Sequence, residues 1–101
     1  MEERKVARAA WENTVLAEGD DVVFVEGNCY FRPEDIRWQY LKPISGTTIC
    51  PWKGTANYYD VEVEGKRNPG AAWYYANPKP EAAEIRDRVA FWKGIHVDVT
   101  Q

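Results

Sequence analysis

Turn-forming residues interrupt this chain so often that no long helix fits between them. Glycine, proline, asparagine and aspartate gather at 19–21, 27–28, 51–54, 65–70, 77–80 and 93–94. The runs between these breakers are short and rich in β-branched and aromatic residues, so the spacing predicts a mostly β chain. No repeat, linker or low-complexity segment appears, and 101 residues set a single domain over 1–101. Residues 1–5 are expected to be flexible.

The runs assign elements in turn. "TVLAE" at 14–18 and "VVFVE" at 22–26, separated by "GDD", read as a hairpin, and "GN" at 27–28 turns the chain into "CYF". "RPEDIRWQYLKP" places Pro33 at a first helical position with Glu34 and Asp35 behind it, which predicts a short helix over 33–41, plugging an open end of the sheet. From Thr55 the alternation puts Tyr59, Val61 and Val63 on one face and Asp60, Glu62 and Glu64 on the other, a strand with one buried and one wet face. "EGKRNPG" returns the chain into "AAWYY" at 71–75 as a long hairpin. "VAFW" and "IHVDV" then flank Lys93 and Gly94 as a last hairpin. About seven strands in curved antiparallel sheets are expected.

A chain this short has little apolar volume, and five Trp, six Tyr and three Phe supply it. So many rings are expected to line a cleft as well as fill a core. The net charge of −3, from 16 acidic and 13 basic residues of mixed order, argues against a nucleic-acid partner. No apolar run approaches the ~20 residues of a membrane-spanning helix, and "MEERKVARAAW" has no secretory apolar segment; a cytoplasmic protein is expected. Cys29, Cys50 and His96 fall short of a zinc ligand set, and neither metal nor cofactor is expected. An open edge at 95–99 is a candidate for pairing with a second copy, a homodimer.

Chemistry concentrates in "TTICPWKGTANYY", 47–59. Pro51 biases Cys50 toward an extended conformation at the exit of a strand, and Gly54 frees the backbone after Trp52 and Lys53. A ring and an ammonium are thereby presented together on a bend. Trp52, Tyr58, Trp73, Tyr75 and Tyr30 are candidate walls of an aromatic pocket, with Lys53 and Glu18 as polar handles. Cys50 is a candidate nucleophile or redox thiol if Lys53 favours its thiolate, with Tyr58 or Tyr75 as acid; the alternative is a small buried hydrophobe. Tyr58 and Tyr59, and likewise Tyr74 and Tyr75, must face opposite sides of their strands. His96 is expected to face water, opposite Ile95 and Val97.

The run "CPWKGTANYYDVEVEGKRNPGAAWYYANPKPEAAEIRDRVAFWKG" resembles the uncharacterised bacterial family called domain of unknown function 427, and the likeness extends from Trp11 to about Val97. Its most specific pieces are Cys-Pro-Trp-Lys-Gly at 50–54, Tyr58, "AWYY" at 72–75, "PKP" at 78–80 and "VAFW" at 89–92. The resemblance implies a compact β-tent-like domain, similar to methionine sulfoxide reductase B. The Cys-x-x-Cys pairs of many β-tent proteins are missing, so zinc and reductase chemistry do not carry over. A nucleotidyltransferase-like label given to some members finds no phosphate or metal motif here. The chain departs from the pattern at Arg32 (usually Pro), at Gly19 (usually Ser) and in "WENT" at 11–14; the glycine removes a hydroxyl from one edge of the expected pocket.

Three functions compete on this reading: a domain that binds a small molecule in the aromatic pocket, an enzyme using Cys50, and an interaction module in which the motif only shapes a strand crossing.

Overall fold

The computed structural model describes residues 6–100, so the flexibility expected of 1–5 lies outside the described residues. Nine strands are present among them: β1 Val6–Trp11, β2 Thr14–Gly19, β3 Val23–Val25, β4 Asn28–Tyr30, β5 Leu41–Cys50, β6 Gly54–Val63, β7 Lys66–Tyr74, β8 Val89–Phe91 and β9 His96–Thr100. They form three antiparallel sheets in the orders β2-β1-β9, β3-β4 and β5-β6-β7-β8. The fold is mostly β, and its radius of gyration of 13.3 Å is that of one domain of this size. No helix among the described residues is long and apolar enough to cross a membrane.

The four-stranded sheet separates two apolar clusters. Side chains alternate along a strand. Tyr59, Val61 and Val63 of β6, Ala72 and Tyr74 of β7, and Val89 and Phe91 of β8 therefore join the larger cluster, with Ala7, Ala9, Leu16, Phe31 and Leu41. Ala56 and Tyr58, Trp73, and Ala90 from the same strands go to the smaller cluster, with Tyr30, Tyr75, Ala82 and Ile85. The opposed facing of both tyrosine pairs follows: Tyr59 stacks on Tyr74 at 5.2 Å, while Tyr58 and Tyr75 belong to the other face.

The β6–β7 hairpin forms as the alternation predicts, turning at Glu64 and Gly65, whose φ of 49° and 79° are those of a tight hairpin turn. Asp60 departs from the expected wet face and is buried. The register shifts between Tyr59 and Val61, opposing extra β7 residues to Asp60, and Asp60 Oδ1 accepts the Gly70 N–H at 2.8 Å with Arg67 at 3.7 Å. The β3–β4 hairpin also forms, turning at Glu26 and Gly27.

Two other expected hairpins do not form. β2 pairs with β1, a strand that the local pattern does not announce, through a turn at Glu12 and Asn13, and β3 joins β4 instead. Lys93 and Gly94 do take the φ values of a hairpin turn, 57° and 85°. Yet β8 pairs with β7 and β9 with β1, because Ile95 is drawn into the larger cluster between them. His96 is exposed as expected, with Ile95 buried beside it, and contacts Asp98 at 2.9 Å. β9 is an edge strand, as expected of 95–99.

The expected helix over 33–41 is replaced by two 3₁₀ turns, Pro33–Asp35 and Trp38–Tyr40. Ile36 lies between them in an extended conformation, bridged to Ala17, and the Arg37 N–H donates to the Leu16 carbonyl at 2.8 Å. Pairing with β2 and burial of Ile36 outcompete a helix too short to be stable alone. Gly19 sits here rather than at a pocket. A Cβ on it would lie 2.2 Å from Asp35 Oδ2, and Arg32 Nε donates to that same oxygen at 3.0 Å.

Phe31 ties β4 to β8. Its backbone exchanges hydrogen bonds with Val89 at 2.8 and 2.9 Å, and its buried ring meets Phe91 edge-on at 5.9 Å. Phe31→Ala is expected to cost about 3–5 kcal/mol in urea unfolding. Phe24→Ala, on the exposed face of β3, should cost about 1 kcal/mol or less; equal losses at both positions would contradict this placement of the core.

Candidate functional site

The site is built on the β5–β6 hairpin. Cys50 pairs with Gly54, leaving Pro51, Trp52 and Lys53 as a three-residue loop. Gly54 has φ of +117°, a conformation that side-chain-bearing residues rarely adopt, and a Cβ there would meet the Asn77 carbonyl at 3.4 Å. The close approach is part of a clamp. The Lys79 N–H donates to the Lys53 carbonyl at 2.9 Å, and the Lys79 ammonium donates to the Pro51 carbonyl. The "PKP" stretch thus holds the loop down, so that the Lys53 side chain runs inward instead of into water.

Lys53 is consequently only 7% exposed, unusual for a lysine. Its ammonium lies 5.5 Å from the Trp52 ring centroid and 5.7 Å from that of Tyr75, within cation–π range. Its charge is met by Glu26, at the tip of the β3–β4 turn and 27 positions away, to which it donates a hydrogen bond. The Trp52 indole N–H donates to the other Glu26 oxygen at 3.3 Å. Burial opposes the lysine's charge, but the Glu26 hydrogen bond and the nearby phenols outweigh it, and the ammonium is held above its ordinary range. The Glu26 carboxyl is pulled below its ordinary range, chiefly by the hydrogen bond from Lys53.

Beside Lys53 a cavity of about 180 Å³ opens, lined by Lys53, Tyr58, Trp73, Tyr75 and Trp92. Cross-strand pairing of Tyr58 with Trp73 sets two of these walls side by side. Tyr58 is fixed by a 2.7 Å hydrogen bond between its hydroxyl and Thr48, and Trp92 meets Trp73 edge-on at 5.7 Å while donating to the Gly70 carbonyl at 2.7 Å. Tyr30 lies beneath as a support, fully buried, its hydroxyl accepting from the Trp73 indole at 3.2 Å. Burial raises both the Tyr30 and the Tyr75 phenols above their ordinary range, with Lys53 opposing the rise.

Of the expected site residues, the structure brings together Lys53, Tyr58, Trp73 and Tyr75 around the cavity, with Trp52 at the Glu26 carboxylate and Tyr30 below. Glu18 is not among them. It lies on β2, paired with Arg8 at 2.6 Å, and lines a separate groove of about 210 Å³ with Arg8 and Asp98, whose charged walls are exposed. The carboxylate that meets Lys53 is instead Glu26, which no local pattern singles out. Trp92 and Lys79 were visible only as parts of motif stretches. Cys50 is half-buried and packs against the aromatic cluster. Cys29 is buried, which pushes its thiol up to about 11. No group of three or more His, Cys, Asp and Glu able to hold a metal occurs among the described residues.

The ion pair makes a signed prediction. A carboxyl lowered in the folded state contributes stability above its unfolded value, here 4.5, and loses it as pH falls through the folded value. The wild-type melting temperature should therefore drop more steeply than that of Glu26→Gln on acidification below about pH 4.5. Parallel slopes in thermal melts would show that the pair contributes nothing.

The sequence matches the family described as Domain of unknown function (DUF427) over residues 1–101, the whole chain. No curated protein matches it.

Proposed function

The chain belongs to the DUF427 family, and from its site we propose that it is a small-molecule-binding domain, working in the bacterial cytoplasm, whose ligand lies between the Trp73, Tyr75 and Trp92 rings with Lys53 as its polar handle. The observation that carries this reading is the buried ammonium at the wall of an aromatic cavity. Keeping a lysine almost out of water is costly unless it is paired, and a surface lysine could serve the fold as well. Concave, ring-lined space with one convergent charge is the usual form of a ligand site. The volume is below the ~300 Å³ of drug-sized sites, so the ligand is a single ring system with a short polar arm. Two free thiols accord with a reducing compartment.

Lys53 also argues against a cationic ligand. Its ammonium already occupies the Trp52 and Tyr75 faces that would attract one, and would repel it.

A screen of aromatic metabolites by thermal shift tests the proposal. At least one is expected to raise the melting temperature, and Trp92→Ala, a half-exposed wall, should remove most of the rise while leaving the unliganded protein folded. A screen in which no aromatic compound shifts the melt would leave the interaction-module reading in its place.

The reading of Cys50 as an activated nucleophile gains little. The cation expected to favour its thiolate is committed to Glu26, and Tyr75, its candidate acid, is made weaker by burial. In a Cys29→Ser background, Cys50 is expected to alkylate at neutral pH no faster than an ordinary thiol. Rapid labelling well below pH 8 would revive an enzymatic role.

A further inference from the structure

We infer that the Glu26 carboxylate occupies the seat of a ligand oxyanion, and that a planar carboxylic acid binds by displacing Glu26 from Lys53 and Trp52. This rests on the binding role proposed above and specifies its ligand class.

The two halves of the ion pair are anchored very differently. On one side, Lys53 and Trp52 belong to a loop clamped by two hydrogen bonds from Lys79, and the Lys53 side chain is 8% exposed. On the other, the Glu26 side chain is 52% exposed and stands at the tip of a two-residue turn, with φ of 54°. The buried ammonium requires an anion, because leaving it alone would strand a desolvated charge. It does not require this one. Glu26 can swing into water at little solvation cost, whereas Lys53 cannot follow.

The donors also define the shape of what replaces it. The Lys53 ammonium and the Trp52 indole N–H grip the two oxygens of one carboxylate, and the Tyr75 ring, 5.7 Å from the ammonium, lines the adjoining cavity together with Lys53. An aryl acid entering there sets its ring among Tyr75, Trp73 and Trp92 and its carboxylate on the same two donors. Anion replaces anion, so the exchange buries no additional charge, and the aromatic contact supplies the driving force. A neutral amide of the same shape lacks the charge to compete with Glu26.

Indole-3-acetate and benzoate, with indole-3-acetamide and benzamide as neutral partners, are the probes, titrated against wild type and Glu26→Gln by tryptophan fluorescence. The acids are expected to bind at least tenfold more tightly than the amides, and Glu26→Gln should tighten the acids about tenfold by removing the internal competitor. Because Glu26→Gln also strips Lys53 of its counter-ion, wild type carries an independent readout. On saturation with indole-3-acetate, the ¹³C resonance of the Glu26 carboxyl should move toward that of a solvated glutamate.

An unchanged or weakened acid affinity in Glu26→Gln, or a Glu26 resonance that stays put, would make Glu26 a permanent part of the site and overturn the exchange. Amides binding as well as acids would overturn it too, while leaving the binding role intact. If no probe binds either protein, the exchange falls, and the binding role then stands or falls with the thermal-shift screen.

Discussion

A strand cannot send neighbouring side chains to the same side, and in this protein that rule gives the two faces of one sheet different roles. On one face of β5–β8, Tyr59, Val61, Ala72, Tyr74, Val89 and Phe91 close over β1, β2 and Phe31 to make the main core. The other face carries Tyr58, Trp73 and Ala90, backed by Tyr30, Ala82 and Ile85. The larger cluster provides most of the buried apolar contact, so the smaller one is free to leave a ring-lined cavity on its surface. A single-residue slip in register would exchange the two faces, sending Tyr58 and Trp73 inward and Val61 toward water.

Two buried charges mark places where the backbone departs from regular pairing. Asp60 sits at the shift between β6 and β7 and caps the Gly70 N–H, a local device that satisfies a donor the distorted ladder leaves over. Lys53 sits at the end of a hairpin and is satisfied from a distant turn. The first is explained by the fold alone. The second is explained only partly by it, since a shorter or apolar residue would close the same loop without needing a counter-ion, and that excess is what directs attention to the cavity beside it.

What could be read in advance follows the range of the forces involved. The β6–β7 hairpin was legible because alternation and a tight turn both lie within a dozen residues, and the opposed facing of Tyr58 and Tyr59 followed from the pleat. The partners of β2 and β9 were not legible. A turn at Lys93 and Gly94 specifies that the chain reverses, not which sheet receives it, and β1, whose buried residues are alanines, carries too faint a pattern to announce itself. The helix expected over 33–41 failed for the same reason in reverse: a locally sound signal lost to the bridge between Ala17 and Ile36.

The sequence by itself determined that the chain would be β-rich, that Cys50 would end a strand, and that Trp52 and Lys53 would share a bend, because proline, glycine and side-chain alternation act on immediate neighbours. Only the tertiary structure decided that Lys53 turns inward, that Glu26 and not Glu18 meets it, and that Trp92 completes the cavity. Those contacts join positions 26, 53, 79 and 92, and a Coulombic pairing across such separations has no signature in local pattern; it exists only once the β3–β4 and β5–β8 sheets have fixed the distance between the charges.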